Sequence, residues 1–479
     1  FNMRTKSVGY RRQCLSAAVA VCSLLLSFAA AEAATPRRSV EQYGITWTFD
    51  REYPVGQFAN GDYWVLGPVV IERIEPDFDG ERHGWEVNPV VRGGQGFRKG
   101  PGFDPARVPA LPYRAEETVS IVKTIANPAE DRVLLRRAAV LTVVAEIPPE
   151  DGRAVFRPPY VGNEKPLYRV ADLRLDRLPA LAPVEPRPDL AKIAQRYAAL
   201  QMDHKGGALG RFLRPVENLA DYQPKNTADQ NEAALRLMLD DPIAAKMPAL
   251  IAFVQFGLDK LHTIYLGQTW PDGGGHQPGH RLAPAFAAVL LDLEKGKRAL
   301  REAEFFHGNR MFYRGRNGVV LWGTPDAERT YWGYIAGRGG NRSIRDPYGY
   351  IDGGKVTEGA YQVITSQSHK GEILATLLMP ALREAWHPEE WAKVREYVDR
   401  WVTVGQWAQP DPVAPYDGNP DHYGVTYGPD PARPGEAIAG AGRFPEAHGR
   451  HRDGGQYRSA FVAAMWDAYR AAAEPRPAP

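Results

Sequence analysis

Two hydrophobic patterns divide the chain, and the first predicts β-strands. Between residues 45 and 147, short runs alternate apolar and polar residues, which is typical of strands with one buried face. Asn60-Gly61 is a hairpin signal, because both residues tolerate positive φ. Pro- and Gly-rich segments separate the runs. The region predicts an antiparallel β domain with strands at 45–49, 63–74, 118–125 and 140–147.

After residue 188 the apolar period becomes helical. Between Asp189 and Gln201 the apolar residues fall on one helix face. Asp241 followed by Pro242 is typical of an N-cap with proline in the first turn. Helix pairs joined by long Gly/Pro-rich loops predict a mainly α fold, an α/α toroid (an incomplete barrel of helical hairpins), preceded by the smaller antiparallel β-rich domain. Further helices are predicted at 229–239, 242–266, 282–293, 361–378, 388–404 and 457–470.

The N-terminal residues predict a secretory signal. Four bases precede an apolar stretch from Ala17 to Ala31, and Ala31-Glu32-Ala33 is a small-x-small cleavage site. The apolar stretch is shorter than the roughly 20 residues of a membrane-spanning helix. The predicted organisation is a signal peptide (1–33), a β-rich domain (34–177), a Pro-rich linker (178–188) and a toroid domain (189–479).

Composition adds information on location and charge. The 479 residues include 59 basic and 57 acidic side chains. Cleavage after Ala33 removes four bases and one acid, which leaves 55 basic and 56 acidic side chains. It also removes Cys14 and Cys22, the only two cysteines. This balance argues against a nucleic-acid-binding protein, and the mature chain has no disulfide or thiol chemistry. We expect a bacterial protein that is periplasmic or secreted, with no membrane attachment after cleavage and an undefined oligomeric state.

The densest polar cluster, residues 268–281, directly precedes an apolar helix. Its three consecutive glycines allow the backbone to approach a ligand closely. His276 and His280 are four residues apart, as in helical zinc sites, but Pro278-Gly279 interrupts a helix and the glutamate of HExxH is missing. We interpret the segment as a ligand-facing loop, with a metal site and an ordinary polar loop as alternatives. No cofactor is predicted, although a divalent cation is compatible with the loop.

Two further clusters suit an anionic carbohydrate. Residues 328–345 contain four arginines, two tyrosines and a tryptophan in a setting poor in acids. Arginine forks match carboxylates, and aromatic rings stack on sugars. The alternative for this segment is an exposed basic loop with core aromatics. Residues 222–230 precede another helix, where Asn226 or Thr227 is alternatively an N-cap. Because the whole chain is nearly neutral, attraction of a polyanion must be local, and we expect the arginines of 328–345 to supply that charge in one cleft.

This set of side chains is suited to β-elimination of a 4-linked uronate. The reaction needs a base for the C5 proton, an acid for the departing O4 and a group that neutralises the carboxylate. Tyrosine and histidine can share the first two roles, while asparagine, arginine or protonated histidine can take the third. Signatures of a nucleophile elbow, a P-loop or a Rossmann fold are absent from the candidate loops.

A Gly-Gly-His loop before an apolar helix, followed by Arg-x-Tyr, resembles the toroid-type polysaccharide lyases. The resemblance covers residues 190–470 and is nearest to polysaccharide lyase family 38, which acts on glucuronan and alginate-like polyuronates. It implies that His276 and Tyr331 transfer protons while Asn226 and Arg329 neutralise the carboxylate. Tyr334 and His280 are alternatives for the tyrosine and the histidine. The residues predicted to bind acidic polysaccharide or oligosaccharide are Trp270, His280, Arg281, Gln230, Tyr334, Arg338, Arg342 and Arg345.

Two other functions remain open. A glycoside hydrolase needs two carboxylic acids across its cleft, and Asp272, Glu328 and Asp352 are the candidates. A non-catalytic glycan-binding protein would use Trp270 and the arginines without producing new reducing ends; Trp270 and Trp322 are sugar platforms or ordinary buried residues.

Overall fold

The structure is a computed structural model. It describes residues 34–129, 132–270, 274–276, 278–310, 312–314, 320–322, 361–404, 429–430, 433–437 and 457–473. The predicted signal peptide, residues 1–33, lies outside the described residues.

A curled mixed sheet forms the N-terminal part. Its strands are β1 (Thr35–Gln42), β2 (Ile45–Gln57), β3 (Tyr63–Leu66), β4 (Val69–Glu75), β5 (Trp85–Val87), β6 (Tyr113–Ala115), β7 (Val119–Ala126) and β8 (Leu135–Val144). The strand order is β5-β7-β8-β3-β2-β4-β6, and β1 pairs with β2 outside this path. Two short pairs follow later in the chain: β9 (Phe312–Arg314) with β10 (Val320–Trp322), and β11 (Pro429–Asp430) with β12 (Arg433–Ala437).

The prediction of a purely antiparallel β domain is wrong, because β3 and β8 run parallel, with Trp64 beside Thr142. Alternating polarity shows that a strand exists, but it does not encode the direction of its partner. Strands β7 and β8 are buried on both faces. Ile121 and Leu141 belong to the core inside the curl, whereas Val122 and Val140 pack against the segment that leads to the helices. Burial on both faces explains their nearly continuous apolar sequences.

The helices follow the sheet. They are α1 (Leu190–Ala198), α2 (Gly207–Leu213), α3 (Gln223–Leu237), α4 (Ile243–Tyr265), α5 (Leu282–Leu290), α6 (Glu294–Glu302), α7 (His307–Arg310), α8 (Tyr361–Leu378), α9 (Pro388–Val404) and α10 (Ala460–Ala473). Within the described ranges, none of these helices combines the length and apolar character needed to cross a membrane.

The predicted α/α toroid is also wrong: a half-barrel sheet with helices packed beside it is not a ring of helical hairpins. Helix α4 packs against α1 and α5, and α8 packs against α3, α9 and α10. The consecutive helices α3 and α4 share only a minor contact. Helical periodicity identifies each helix and its apolar side, but it does not determine which helices become neighbours.

A buried arginine joins the sheet region to the helices. The Nε of Arg157 lies 2.6 Å from a carboxylate oxygen of Asp62, in the β2–β3 loop, and its other nitrogens pair with Asp259 of α4. Arg157 and Asp62 are each 1% exposed. Because three charges are buried together, each depends on the others for compensation.

The predicted Pro-rich linker, residues 178–188, packs along the helices. The Leu181 amide donates to the Met238 carbonyl over 3.0 Å, and the Leu181 carbonyl accepts from Asp240 over 2.7 Å. Its apolar side chains contact the helical core. The division into domains stays a prediction, but this segment is held by backbone hydrogen bonds.

Candidate functional site

The glycine-rich loop lies on the start of α3. Residues Gly274–His276 form a short 3-10 helix. A Cβ at Gly275 would lie 1.8 Å from the hydroxyl oxygen of Tyr222, and a Cβ at Gly279 would lie 2.0 Å from the hydroxyl oxygen of Thr227. Gly279 also has a φ of +73°. These glycines are therefore needed for the close approach of the loop to α3.

Close packing brings together three of the residue types that the sequence predicts for the site. The rings of His276 and Tyr222 meet edge to face, with centroids 5.8 Å apart. The guanidinium carbon of Arg211 lies 4.4 Å from the centroid of the Tyr222 ring. The ring centroids of Tyr457 and Tyr222 are 5.6 Å apart. All four side chains are only partly buried. A tyrosine, a histidine and an arginine thus share one partly accessible position.

The pKa of one of these side chains is raised. Burial is the main cause for the phenol of Tyr457, and the negative charge of Asp221 adds to it, while Arg211 opposes both. Tyr457 therefore holds its proton more firmly than an ordinary tyrosine. In this cluster it stays protonated at neutral pH, so it can donate a hydrogen bond but cannot act as a base.

Helix α3 begins with polar residues that are buried, which is unusual for polar side chains. Its first turn starts at Gln223 after Tyr222, so neither Asn226 nor Thr227 is the N-cap. The Nδ2 of Asn226 donates to the Ala220 carbonyl over 2.9 Å, which leaves its second N–H. The buried polar residues of α3 are Gln223, Asn226, Thr227, Asp229, Gln230, Asn231 and Arg236. Among the described residues, the side-chain oxygen of Gln230 has no hydrogen-bond partner.

A fully buried chain of charges lies behind the loop. The Nζ of Lys260 is 3.0 Å from Asp203 and 2.6 Å from the Nδ1 of His280. Arg214 binds the other carboxylate oxygen of Asp203 over 3.0 Å. Burial alone would raise the pKa of Asp203, but Arg214 and Lys260 hold it well below its ordinary value. Asp203 is therefore a buried carboxylate that anchors two cations.

The hydrogen bonds of His280 define its tautomer. Its Nε2 lies 3.1 Å from the carbonyl oxygen of His276, which can only accept, so Nε2 carries the proton. Burial and the neighbouring Lys260 lower the pKa of His280 well below its ordinary value, so the ring is neutral and Nδ1 accepts from Lys260. The ring also stacks on Trp270, with centroids 3.9 Å apart. His280 consequently fixes the backbone of the residue that contacts Tyr222.

Trp270 and His280 are both 1% exposed, which places them in the interior rather than at a surface open to sugars. Arg281 is buried as well. Its guanidinium carbon lies 3.9 Å from the ring centroid of Phe306 and 4.2 Å from that of Trp386, and it pairs with Glu390. In this arrangement Trp270, His280 and Arg281 support the loop from within.

A small cavity lies beside Arg281, with room for about one water molecule. Glu372 of α8 and Glu390 of α9 line it together with His369. Burial raises the pKa of Glu390, and Glu372 adds to this effect against the attraction of Arg281. The sequence does not identify this acidic pair, because each glutamate lies inside an amphipathic helix and the two are 18 positions apart.

Several predicted residues lie outside the described part of the chain. They are Tyr331, Arg329, Tyr334, Arg338, Arg342 and Arg345, together with the hydrolase candidates Asp272, Glu328 and Asp352. Of the predicted catalytic residues, the structure describes His276 and Asn226, which lie on the loop and on the first turns of α3. The sequence pattern predicts no role for Tyr222, Arg211 or Tyr457. The available signal was the Tyr-Gln-Pro sequence at 222–224, which marks a helix start beside the Gly-rich loop.

The described residues contain no group of three or more His, Cys, Asp or Glu side chains arranged to hold a metal ion. Comparison of the chain with protein-family models, with curated proteins and with solved structures found no match, so the chemistry of these side chains carries the functional argument.

Proposed function

We propose that this protein is a polysaccharide lyase that cleaves a 4-linked polyuronate, such as glucuronan or an alginate-like polymer, by β-elimination. The observation that carries the proposal is the edge-to-face contact of Tyr222 with His276, 5.8 Å between centroids, beneath the guanidinium of Arg211. Among the described residues, Tyr222 and Arg211 supply the tyrosine and the arginine of this chemistry, whereas Tyr331 and Arg329 lie outside the described residues.

The roles follow from the chemistry of each group. A base removes the C5 proton of the uronate, the electron pair forms the C4–C5 double bond, and the C4–O4 bond breaks as O4 takes a proton. His276 and Tyr222 supply the base and the acid, with Tyr457 as a hydrogen-bond donor beside them. Arg211 attracts the carboxylate and stabilises the charge that develops beside it. Asn226, the sequence candidate for the same role, is 3% exposed and donates to the Ala220 carbonyl.

The test is the variant Tyr222→Phe, which removes one hydroxyl and keeps the ring packed against His276. We expect turnover to fall by about 100-fold or more, since a positioned acid or base contributes about 10²–10⁴-fold. The measurement is the ultraviolet absorbance of the C4–C5 double bond during incubation with polyglucuronate or alginate. Tyr63→Phe, in strand β3, is the matched control and is expected to retain full activity. Full activity of Tyr222→Phe would refute the role of Tyr222.

A glycoside hydrolase is the second candidate, and the buried pair Glu372 and Glu390 favours it. Against the hydrolase, the cavity that Glu372 and Glu390 line has room for about one water molecule, which is too little for a sugar ring. The product separates the two functions. New reducing ends that form without ultraviolet absorbance, and that no longer form in Glu390→Gln, would establish hydrolysis and refute the lyase. Binding of the polysaccharide without either product would indicate a glycan-binding protein.

A further inference from the structure

Three carboxylates near the proposed site are each shared by two bases. Asp221 pairs with Arg132 and Arg211, Asp229 with Arg196 and Lys225, and Glu217 with Arg136 and Arg137. The six bases, which we call the basic band, are Arg132, Arg136, Arg137, Arg196, Arg211 and Lys225. Six bases against three acids leave an excess of three positive charges in these ion pairs.

Backbone hydrogen bonds place the members of the basic band side by side. The start of β8 runs along residues 212–217: the Leu134 amide donates to the Phe212 carbonyl over 2.9 Å, and the Glu217 amide donates to the Arg136 carbonyl over 3.0 Å. The same segment continues through Asp221 into α3, which carries Lys225. The basic band therefore runs from β8 past Tyr222 and along α3 to α1.

Three bases of the band are clearly more exposed than the acids they pair with, whereas Arg211 is 18% exposed and Glu217, at 39%, is about as exposed as Arg136 and Arg137 at 41% and 34%. The side chains of Arg132, Arg196 and Lys225 are 53%, 44% and 45% exposed, whereas those of Asp221 and Asp229 are 28% and 9% exposed. At Arg132, Arg196 and Lys225 a ligand would meet the cation before the carboxylate. At Glu217 it would meet two cations beside one carboxylate of similar exposure. Such an arrangement attracts polyanions although the whole chain is nearly neutral.

We propose that the basic band binds successive carboxylates of an acidic polysaccharide and guides the polysaccharide across Tyr222. The nature of the ligand rests on the proposed lyase function, whereas the location rests on the charges alone. This location differs from the sequence expectation, which assigned the positive charge to residues 328–345. The proposal adds Arg136 and Arg137 as binding residues more distant from the reacting bond.

The test compares the double variant Arg136→Ser/Arg137→Ser with the wild-type protein. Binding of fluorescently labelled polyglucuronate is measured at low salt and at 1 M NaCl. The Debye length is about 10 Å at 0.1 M salt and about 3 Å at 1 M, so the higher concentration screens the charges of the band. We expect the double variant to bind about tenfold more weakly at low salt, and both proteins to bind weakly at 1 M salt. Arg73→Ser/Arg114→Ser, on β4 and β6, removes the same charge from exposed ion pairs of the sheet and is expected to bind like the wild type.

The possible results separate this proposal from the lyase function. Unchanged binding by the Arg136/Arg137 double variant would overturn the basic band, even if the wild type were an active lyase. Equal weakening in the Arg73/Arg114 control would also overturn it, because net charge rather than location would then explain binding. Equally tight binding of double-stranded DNA would overturn the assignment to an acidic glycan. Salt-sensitive binding that depends on Arg136 and Arg137, without any unsaturated product, would support the band and refute the lyase.

Discussion

Replacing His280 by leucine tests whether this buried histidine positions His276. The variant removes the acceptor of Lys260 at 2.6 Å and the donor to the His276 carbonyl at 3.1 Å. A hydrogen bond to a charged group contributes about 1.5–3 kcal/mol and a neutral one about 1 kcal/mol. Lys260 keeps its contact with Asp203, so we expect a loss of about 3 kcal/mol in the free energy of unfolding.

The expected effect on activity is larger than this loss of stability suggests. A displacement of a reacting group by about 1 Å can cost about 100-fold in rate, and His276 loses the hydrogen bond that holds its backbone. We therefore expect kcat to fall by about 100-fold while KM changes little. Urea unfolding gives the stability, and ultraviolet product formation gives kcat and KM.

Two companion variants make the test specific. His280→Gln keeps one acceptor and one donor, and we expect it to retain most of the activity; His387→Leu, at an exposed histidine before α9, is the control. Wild-type kcat in His280→Leu would refute the positioning role. Equal damage in His280→Gln and His280→Leu would show that the stacked ring on Trp270, rather than its hydrogen bonds, holds the loop.

Two further predictions concern stability. Arg157→Met should lower the free energy of unfolding, measured in urea, by about 3–5 kcal/mol, because Asp62 and Asp259 stay buried without a cation. Adding Asp62→Asn and Asp259→Asn should recover part of this loss. A loss below about 1 kcal/mol would mean that the three charges are not buried together. Burial lowers the pKa of His204 from 6.5 to about 3 in the folded protein. As the pH drops below 6.5, the unfolded chain therefore protonates His204 while the folded protein does not. The free energy of unfolding should then fall by about 1.4 kcal/mol per pH unit. Urea midpoints between pH 4.5 and 7.5 should show a shallower slope in His204→Gln, and an unchanged slope would refute this origin.

Local pattern predicted single elements well. The predicted helices at 361–378 and 388–404 have the bounds of α8 and α9, because each has apolar positions at helical spacing. The predicted strand at 63–74 is two strands, since Gly67-Pro68 interrupts it and proline cannot donate to the ladder.

The pattern failed where polar residues are buried. Helix α3 begins six residues before the predicted start at 229, because its first turns carry Gln223, Asn226 and Thr227 instead of apolar residues. Thr227 meets the Gly-rich loop at Pro278 and Gly279, whereas Gln223 accepts from Arg214 and Asn226 donates to the Ala220 carbonyl. No helical period encodes these contacts. For the same reason the sequence offered His276 and Asn226 as candidates but not Arg211, which reaches Tyr222 from α2.

Strand β8 has a consequence for how the chain acquires its structure during synthesis. It pairs with β7 on one side and with β3 on the other, and its contact with β3 joins residues 78 positions apart in the chain, as for Trp64 and Thr142. Until β8 has left the ribosome, β3 and β7 each expose an unpaired edge that can template aggregation. A fragment that ends before Leu135 should therefore be prone to associate with other chains, whereas one that includes β8 can complete the sheet.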